Sequence, residues 1–415
     1  MNSKMKRSKR RTFIKTMGLT TIGLTLSSNL TSCQNNKSKK SYLTIDDMEV
    51  NDSLGNIIKL TDYSKKTVQL VKEASCIDML SSYKDFFHKR NNIPLSNHWS
   101  SIPNSFTRED HSFVMNCGVN VFGWGSMKPT YESMLQFIAD QNSIIASNPD
   151  YFLRIDTKKR LESVNKSGKI GMLITNQNSN HFRTLDDIKM FYGLGQRVSQ
   201  LTYNDKNRLG CGAFVEKDTG ITNYGKQVVQ RMNEVGMAVD VSHCGDKTTL
   251  DAIGSSSKPV LITHGACRAL AKGVTRAKTN EAIKALAKSG GVIGIPILRF
   301  MISNNEPVTI DHFFNHIDHI IQMVGVEHVG IGSDQGLYTE DYGEKSWRKL
   351  RLENAPSKYQ THTNKDFLLT IEKLNHPYRI YDIAEGLIKK GYTDEHVKMV
   401  LGNNFKRVLI EIFKH

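Results

Sequence analysis

A chain of 415 residues with 39% hydrophobic and 23% charged residues has the make-up of an ordinary globular protein, long enough for one large domain or two medium ones. Its net charge of +15 would suit a nucleic-acid partner, but Lys4, Lys6, Arg7, Lys9, Arg10, Arg11 and Lys15 crowd into residues 1–32 with no acid among them. The rest of the positive charge is spread thinly, with no basic block interleaved with aromatics, so no nucleic-acid partner is expected.

The N-terminus reads as an address. Lys9-Arg10-Arg11-Thr12-Phe13-Ile14-Lys15 precedes a mildly apolar run from Met17 to Leu26, the pattern of a twin-arginine export signal. Leu30-Thr31-Ser32-Cys33 then resembles a bacterial lipobox, which would make Cys33 a lipid anchor and the mature N-terminus. Residues 1–33 are therefore read as signal and lipobox, 34–66 as polar tether and lead-in, and 67–415 as the catalytic domain. The expected location is the bacterial cell envelope, on the periplasmic or the surface side. Cys76, Cys117, Cys211, Cys244 and Cys267 form no CxxC pair and are too sparse for a disulfide framework.

From residue 70 onward short apolar runs alternate with segments of helical period. The runs are Ser75–Leu80, Gly118–Trp124, Ile170–Gln177, Arg197–Tyr203, Ala238–His243, Pro259–His264, Gly291–Ile297 and His328–Asp334. Helices are predicted over Tyr131–Ala146, Leu185–Gly195, Thr222–Val235, Lys247–Ile253, Asn280–Lys288 and Ile310–Val324, with Thr222 as an N-cap and Gly195 and Gly236 as C-terminal glycines. Eight βα units predict an α/β protein, a closed (β/α)8 TIM barrel.

Active residues of such a barrel belong at the C-terminal ends of its strands. The runs end on, or contain, Asp78, Gln177, Tyr203, His243, His264 and Asp334. One histidine at a strand end is ordinary. Two on adjacent strands, whose tips lie roughly 5 Å apart, can share a cation. Period two puts Cys76 and Asp78 on one face of the first strand, so Cys76, Asp78, His243, His264 and Asp334 form the expected ligand set. His312, His316 and His319 also share a helix face, but they flank the apolar face of Ile310–Val324 on the outside of the barrel and are expected to be solvated or packed.

These residues also carry a family resemblance. Gly220-Ile221-Thr222-Asn223-Tyr224-Gly225, Val239-Asp240-Val241-Ser242-His243, Thr263-His264 with Cys267-Arg268-Ala269-Leu270, and Gly330-Ile331-Gly332-Ser333-Asp334 resemble the membrane (renal) dipeptidase family of zinc peptidases. The similarity runs in order over about residues 70–412 and ends in Gly402-Asn403-Asn404-Phe405. The resemblance implies a barrel with two zinc ions bridged by a glutamate. It implies that His243 and His264 bind one zinc, that Asp78 binds the other, and that Asp334 contacts the second ion and handles the proton. It also implies that Arg276 grips the substrate carboxylate.

Four positions depart from the family. Cys76-Ile77-Asp78 stands for His-x-Asp, Gln177 for the bridging glutamate, Tyr203 for a histidine that polarises the scissile carbonyl, and Arg276-Ala277 for Arg-Asn. Cysteine can still bind zinc and tyrosine can still donate to an oxyanion, but a neutral amide bridges two dications poorly. Zinc is therefore expected as one ion or two. The function implied is a metallohydrolase cleaving dipeptides or small N-acyl amino acids, with Asp334 and Tyr203 in catalysis and Arg276 and Tyr203 on the substrate. The alternative is a silent lipid-anchored barrel that binds small molecules. A homodimer is compatible with either.

Overall fold

The computed structural model describes residues 49–51, 56–84, 89–90, 93–337 and 369–414. The twin-arginine leader and Cys33 lie outside the described residues. Within the expected lead-in, Glu49–Asn51 pairs antiparallel with Ile57–Lys59. Among the described residues no helix is long and apolar enough to cross a membrane.

Eight parallel strands close into a ring: β1 Ile77–Asp78, β2 Val121–Ser126, β3 Ile170–Asn176, β4 Gln196–Gln200, β5 Ala238–Asp240, β6 Leu261–Ile262, β7 Val292–Ile295 and β8 Val329–Ile331. Every neighbouring pair is parallel, and β8 returns to β1 through Ile331 opposite Asp78. The barrel expected from the sequence is the fold observed. All eight predicted runs overlap a strand, although most of the ladders are shorter than the runs. A further strand, Phe152–Arg154, pairs with residues 170–172 of β3, whereas β4 pairs with residues 174–176. It widens the bottom of the barrel between β3 and β4.

The outer layer holds helices α1 Lys65–Glu73, α2 Arg108–Asn116, α3 Tyr131–Ser147, α4 Lys158–Ser167, α5 Leu185–Gly193, α6 Asn223–Val235, α7 Asp246–Ser255, α8 Asn280–Lys288, α9 Ile310–Val324 and α10 Arg379–Lys389. Local chemistry sets their ends. Thr222 accepts from Gly225 N at 2.9 Å to open α6, and Gly236 at φ 89° closes it, a backbone conformation that glycine adopts without the Cβ penalty. The last helix, α11 Asn404–Ile412, does something else. Phe405, Val408, Leu409 and Ile412 are buried in one cluster with Ile77, Val121, Leu173, Val198, Ala238, Leu261 and Val292, the inward side chains of the strands. Lys406 Nζ reaches Ser75 Oγ at 2.9 Å, just before β1, so α11 plugs the N-terminal end of the barrel. The opposite end is left for the site.

Candidate metal centre

His243 follows β5 and His264 follows β6. Both are buried, and their Nε2 atoms lie 2.9 Å apart. Each ring's other nitrogen has an oxygen partner: His243 Nδ1 meets Asn204 Oδ1 at 2.6 Å, and His264 Nδ1 meets Thr263 Oγ1 at 3.0 Å. Nδ1–H donating to those oxygens leaves the two Nε2 lone pairs bare and facing each other. Such an arrangement is repulsive unless a cation lies between them. Burial, with the Arg276 guanidinium next, holds both rings well below the usual imidazole range, so a shared proton is a poor cation for the place. A zinc ion accepts two neutral imidazoles, and outer oxygen partners of this kind are what orient metal-binding histidines.

The loop after β6 braces these two turns. Arg276 is buried and donates to Ser242 O, and also to His264 O at 3.4 Å. Lys278, fully buried, donates to Val241 O at 2.7 Å, Cys244 O at 2.8 Å and Thr249 Oγ1 at 3.1 Å. Burial pushes its ammonium down to about 8. Arg268 grips Asp246 with two hydrogen bonds of 2.5 and 2.7 Å and donates to Thr275 O and Ala277 O. Gly332 is required beside them, since a Cβ there would overlap the Thr263 carbonyl. Arg276, the expected grip for a substrate carboxylate, has its guanidinium on the carbonyls of both histidine turns.

The other expected residues fall into two groups. Tyr203 is brought to the site: its ring stacks on His243 with centroids 4.1 Å apart and planes 21° apart. Asp334 is at the rim, half-buried, with its N–H on Leu80 O at 2.8 Å. Its φ of 58° is uncommon for a residue with a side chain, a strained backbone of the kind found at functional sites. Gln177 follows β3, and its side chain packs with that of Leu80 over Gly125 of β2.

Cys76 is a correction. Its thiol is fully buried, donates to Val71 O of α1 at 3.6 Å, and burial pushes it up to about 12. Period two does put Cys76 and Asp78 on one face, but it is the face turned to the helices; Ile77 and Met79 fill the barrel. Asp78 spends Oδ1 on the backbone N–H groups of Leu80 at 3.3 Å and Ser333 at 2.8 Å, tying β1 to β8. Cys76→Ser is therefore expected to leave zinc content unchanged while lowering stability by about 1–2 kcal/mol, measured by metal analysis beside urea unfolding. Among the described residues, no group of three or more His, Cys, Asp or Glu side chains gathers to hold a metal. The imidazole pair could offer two nitrogen ligands to one cation. The first-strand residues and Gln177 do not fit a second.

His316 and His319 are no rival site. His316 is buried, with Nδ1 accepting from Cys267 N at 3.0 Å and Nε2 donating to Ile302 O at 2.8 Å. His319 meets Asn280 Oδ1 at 3.0 Å, and His312 caps its own helix beside Thr309 at 3.1 Å. Sequence reasoning missed Asn204, Lys278, Leu80 and Asp240. Only Asp240 left a signal, as a carboxylate inside the apolar run Ala238–Val241.

Comparison with known proteins agrees with this geometry. The profile of the membrane dipeptidase family (peptidase family M19) matches residues 75–343. An uncharacterized dipeptidase of Schizosaccharomyces pombe is 32% identical over 153 residues, 35% of this chain and 36% of that protein. Dipeptidase tcpJ of Claviceps purpurea is 26% identical over 229 residues, 54% of this chain and 47% of that protein. The matched stretches thus span less than half the length of these curated relatives. A crystal structure of an amidohydrolase from Pseudomonas aeruginosa superposes with a TM-score of 0.69 and 25% identity, over 84% of this chain and 99% of that one. With a family match over more than half its length, the chain belongs to the membrane dipeptidase family.

Proposed function

We propose that this protein is a metal-dependent hydrolase that cleaves the amide bond of dipeptides or of small N-acyl amino acids, using one zinc ion. The observation that carries the reading is the convergence of the Nε2 atoms of His243 and His264, 2.9 Å apart at the mouth. Zinc held there supplies a Lewis acid that polarises an amide carbonyl and acidifies water. The chain's own groups do the rest. Tyr203, stacked on His243, offers its hydroxyl hydrogen to the carbonyl oxygen as charge develops on it. The Asp334 carboxylate, at the rim, takes the proton from the attacking water and returns it to the leaving amine. Arg276 and Lys278 keep the imidazoles aimed by holding their turns. The dipeptidase names of relatives matched over part of their length support the substrate class.

The same reading places the catalytic domain outside the cytoplasm, supported by Arg10-Arg11 and by the lipobox ending at Cys33. Cys33→Ala is then expected to release the protein from the membrane fraction, and continued membrane association would remove the anchor.

The test of function uses the chain without residues 1–33, loaded with zinc and given a panel of dipeptides and N-acyl amino acids. About one zinc per chain with turnover of either class is expected. Less than about 0.3 zinc per chain and no turnover would overturn the reading.

A further inference from the structure

Beneath the two imidazoles lies a buried carboxylate with no part in the mechanism above. Asp240 ends β5 on the inward face it shares with Ala238. It takes four hydrogen bonds: Oδ1 accepts from Ser242 N at 2.9 Å, Ser242 Oγ at 2.5 Å and Thr263 N at 3.2 Å, and Oδ2 accepts from Thr263 Oγ1 at 2.7 Å. Ser242 precedes His243, and Thr263 precedes His264. One carboxylate therefore joins both ligand turns.

We propose that Asp240, acting through the Thr263 hydroxyl, fixes the tautomer of His264 and is a positioning residue of the site. A proton count carries the argument. Each hydroxyl has one hydrogen. Ser242 spends its hydrogen on Oδ1, and its oxygen is then free to accept from His264 N at 3.2 Å. Thr263 spends its hydrogen on Oδ2. The 3.1 Å approach of the two hydroxyl oxygens can claim neither hydrogen from the shorter bonds to the carboxylate. With Asp240 ionised, Thr263 Oγ1 can then only accept from His264 Nδ1, 3.0 Å away, so that nitrogen carries the proton and Nε2 is bare. The chain Asp240–Thr263–His264 is a carboxylate–histidine pair with a hydroxyl inserted between its members. Its consequence for zinc rests on the hydrolase reading; the tautomer itself does not.

The chemistry of Asp240→Asn makes the proposal unusually easy to challenge. The three donors at Oδ1 would hold the amide oxygen there, placing the NH2 where Oδ2 was. That NH2 would donate to Thr263 Oγ1, turn the hydroxyl toward His264 Nδ1, and drive the ring to the Nε2–H form. The leaderless, zinc-free protein with 15N-labelled histidine reports this directly through the two imidazole nitrogen shifts. Wild type should show His264 as Nδ1–H and Asp240→Asn as Nε2–H. Thr263→Val should lose the pure Nδ1–H state, and Thr263→Ser should restore it. Zinc affinity by chelator competition should weaken about 10- to 100-fold in Asp240→Asn and Thr263→Val and stay within about twofold in Thr263→Ser.

A purely structural role would lower the melting temperature and leave the shifts in place. Folded Asp240→Asn that keeps the Nδ1–H form overturns the proposal; should that variant not fold, Thr263→Val with an unchanged tautomer overturns it alone. A tautomer that switches as described in a protein without amide turnover would remove the hydrolase reading and leave this one standing.

Discussion

Replacing either His243 or His264 with alanine is expected to abolish zinc binding and to cut amide hydrolysis by at least about 100-fold. The described residues offer no third His, Cys, Asp or Glu to take over. Stability gives a second reading of the same change. The two Nε2 atoms lie 2.9 Å apart; with both Nδ1 atoms protonated their lone pairs face each other in the metal-free protein, and deleting one ring relieves that repulsion while opening a buried space. The metal-free variants should therefore lose less stability than an ordinary buried truncation. Their melting points should no longer rise with zinc, whereas saturation at 100 times Kd would stabilise the wild type by about 2.7 kcal/mol. A variant that still binds one zinc per chain, measured by metal analysis after dialysis, would show that the imidazoles are not the ligands.

Acid should weaken the fold in a window set by two other histidines. Burial pushes His181 and His316 from 6.5 down to about 4. In the fold both are neutral: His181 Nδ1 accepts from Asn176 Nδ2 at 3.1 Å while Nε2 donates to Gln196 Oε1 at 3.1 Å, and His316 accepts on Nδ1 and donates from Nε2. Above pH 6.5 neither state binds a proton at these rings, and their effect on stability is flat. As the pH falls below 6.5 the unfolded chain takes up protons that the folded chain refuses, so stability drops until about pH 4. The loss is on the order of 3 kcal/mol for each ring across that window. Urea unfolding of the zinc-free protein between pH 7 and 4.5 should show the slope, and His316→Asn should flatten it. A free energy of unfolding that holds level over that range would contradict the assignment.

Much of this molecule could be read before it was seen. The ring of strands was legible because apolar runs recur between amphipathic segments, and the histidine pair because strand ends in a barrel converge. What period two could not supply is which face of β1 looks inward. That ladder is only Ile77–Asp78, and apolar residues flank it on both faces, so Cys76 fitted either side on paper. Packing decides it: Met79 and Ile77 fill the barrel, and Cys76 packs under α1. The bracing contacts of Arg276 and Lys278 were illegible for a different reason. Their partners are backbone carbonyls at Ser242, His264, Val241 and Cys244, and a carbonyl leaves no mark in a sequence. Asn204 is invisible for the same want of pattern, since its one informative contact crosses from the β4 loop to the β5 loop.

The braces between the β5 and β6 turns carry a kinetic consequence. With Arg276, Lys278 and the Arg268–Asp246 pair already fastened, both imidazoles wait in their final positions. Ion capture then requires no loop to order itself first. Zinc uptake by the folded protein should follow a single concentration-proportional phase, with no slower plateau from rearrangement, and with little change in heat capacity.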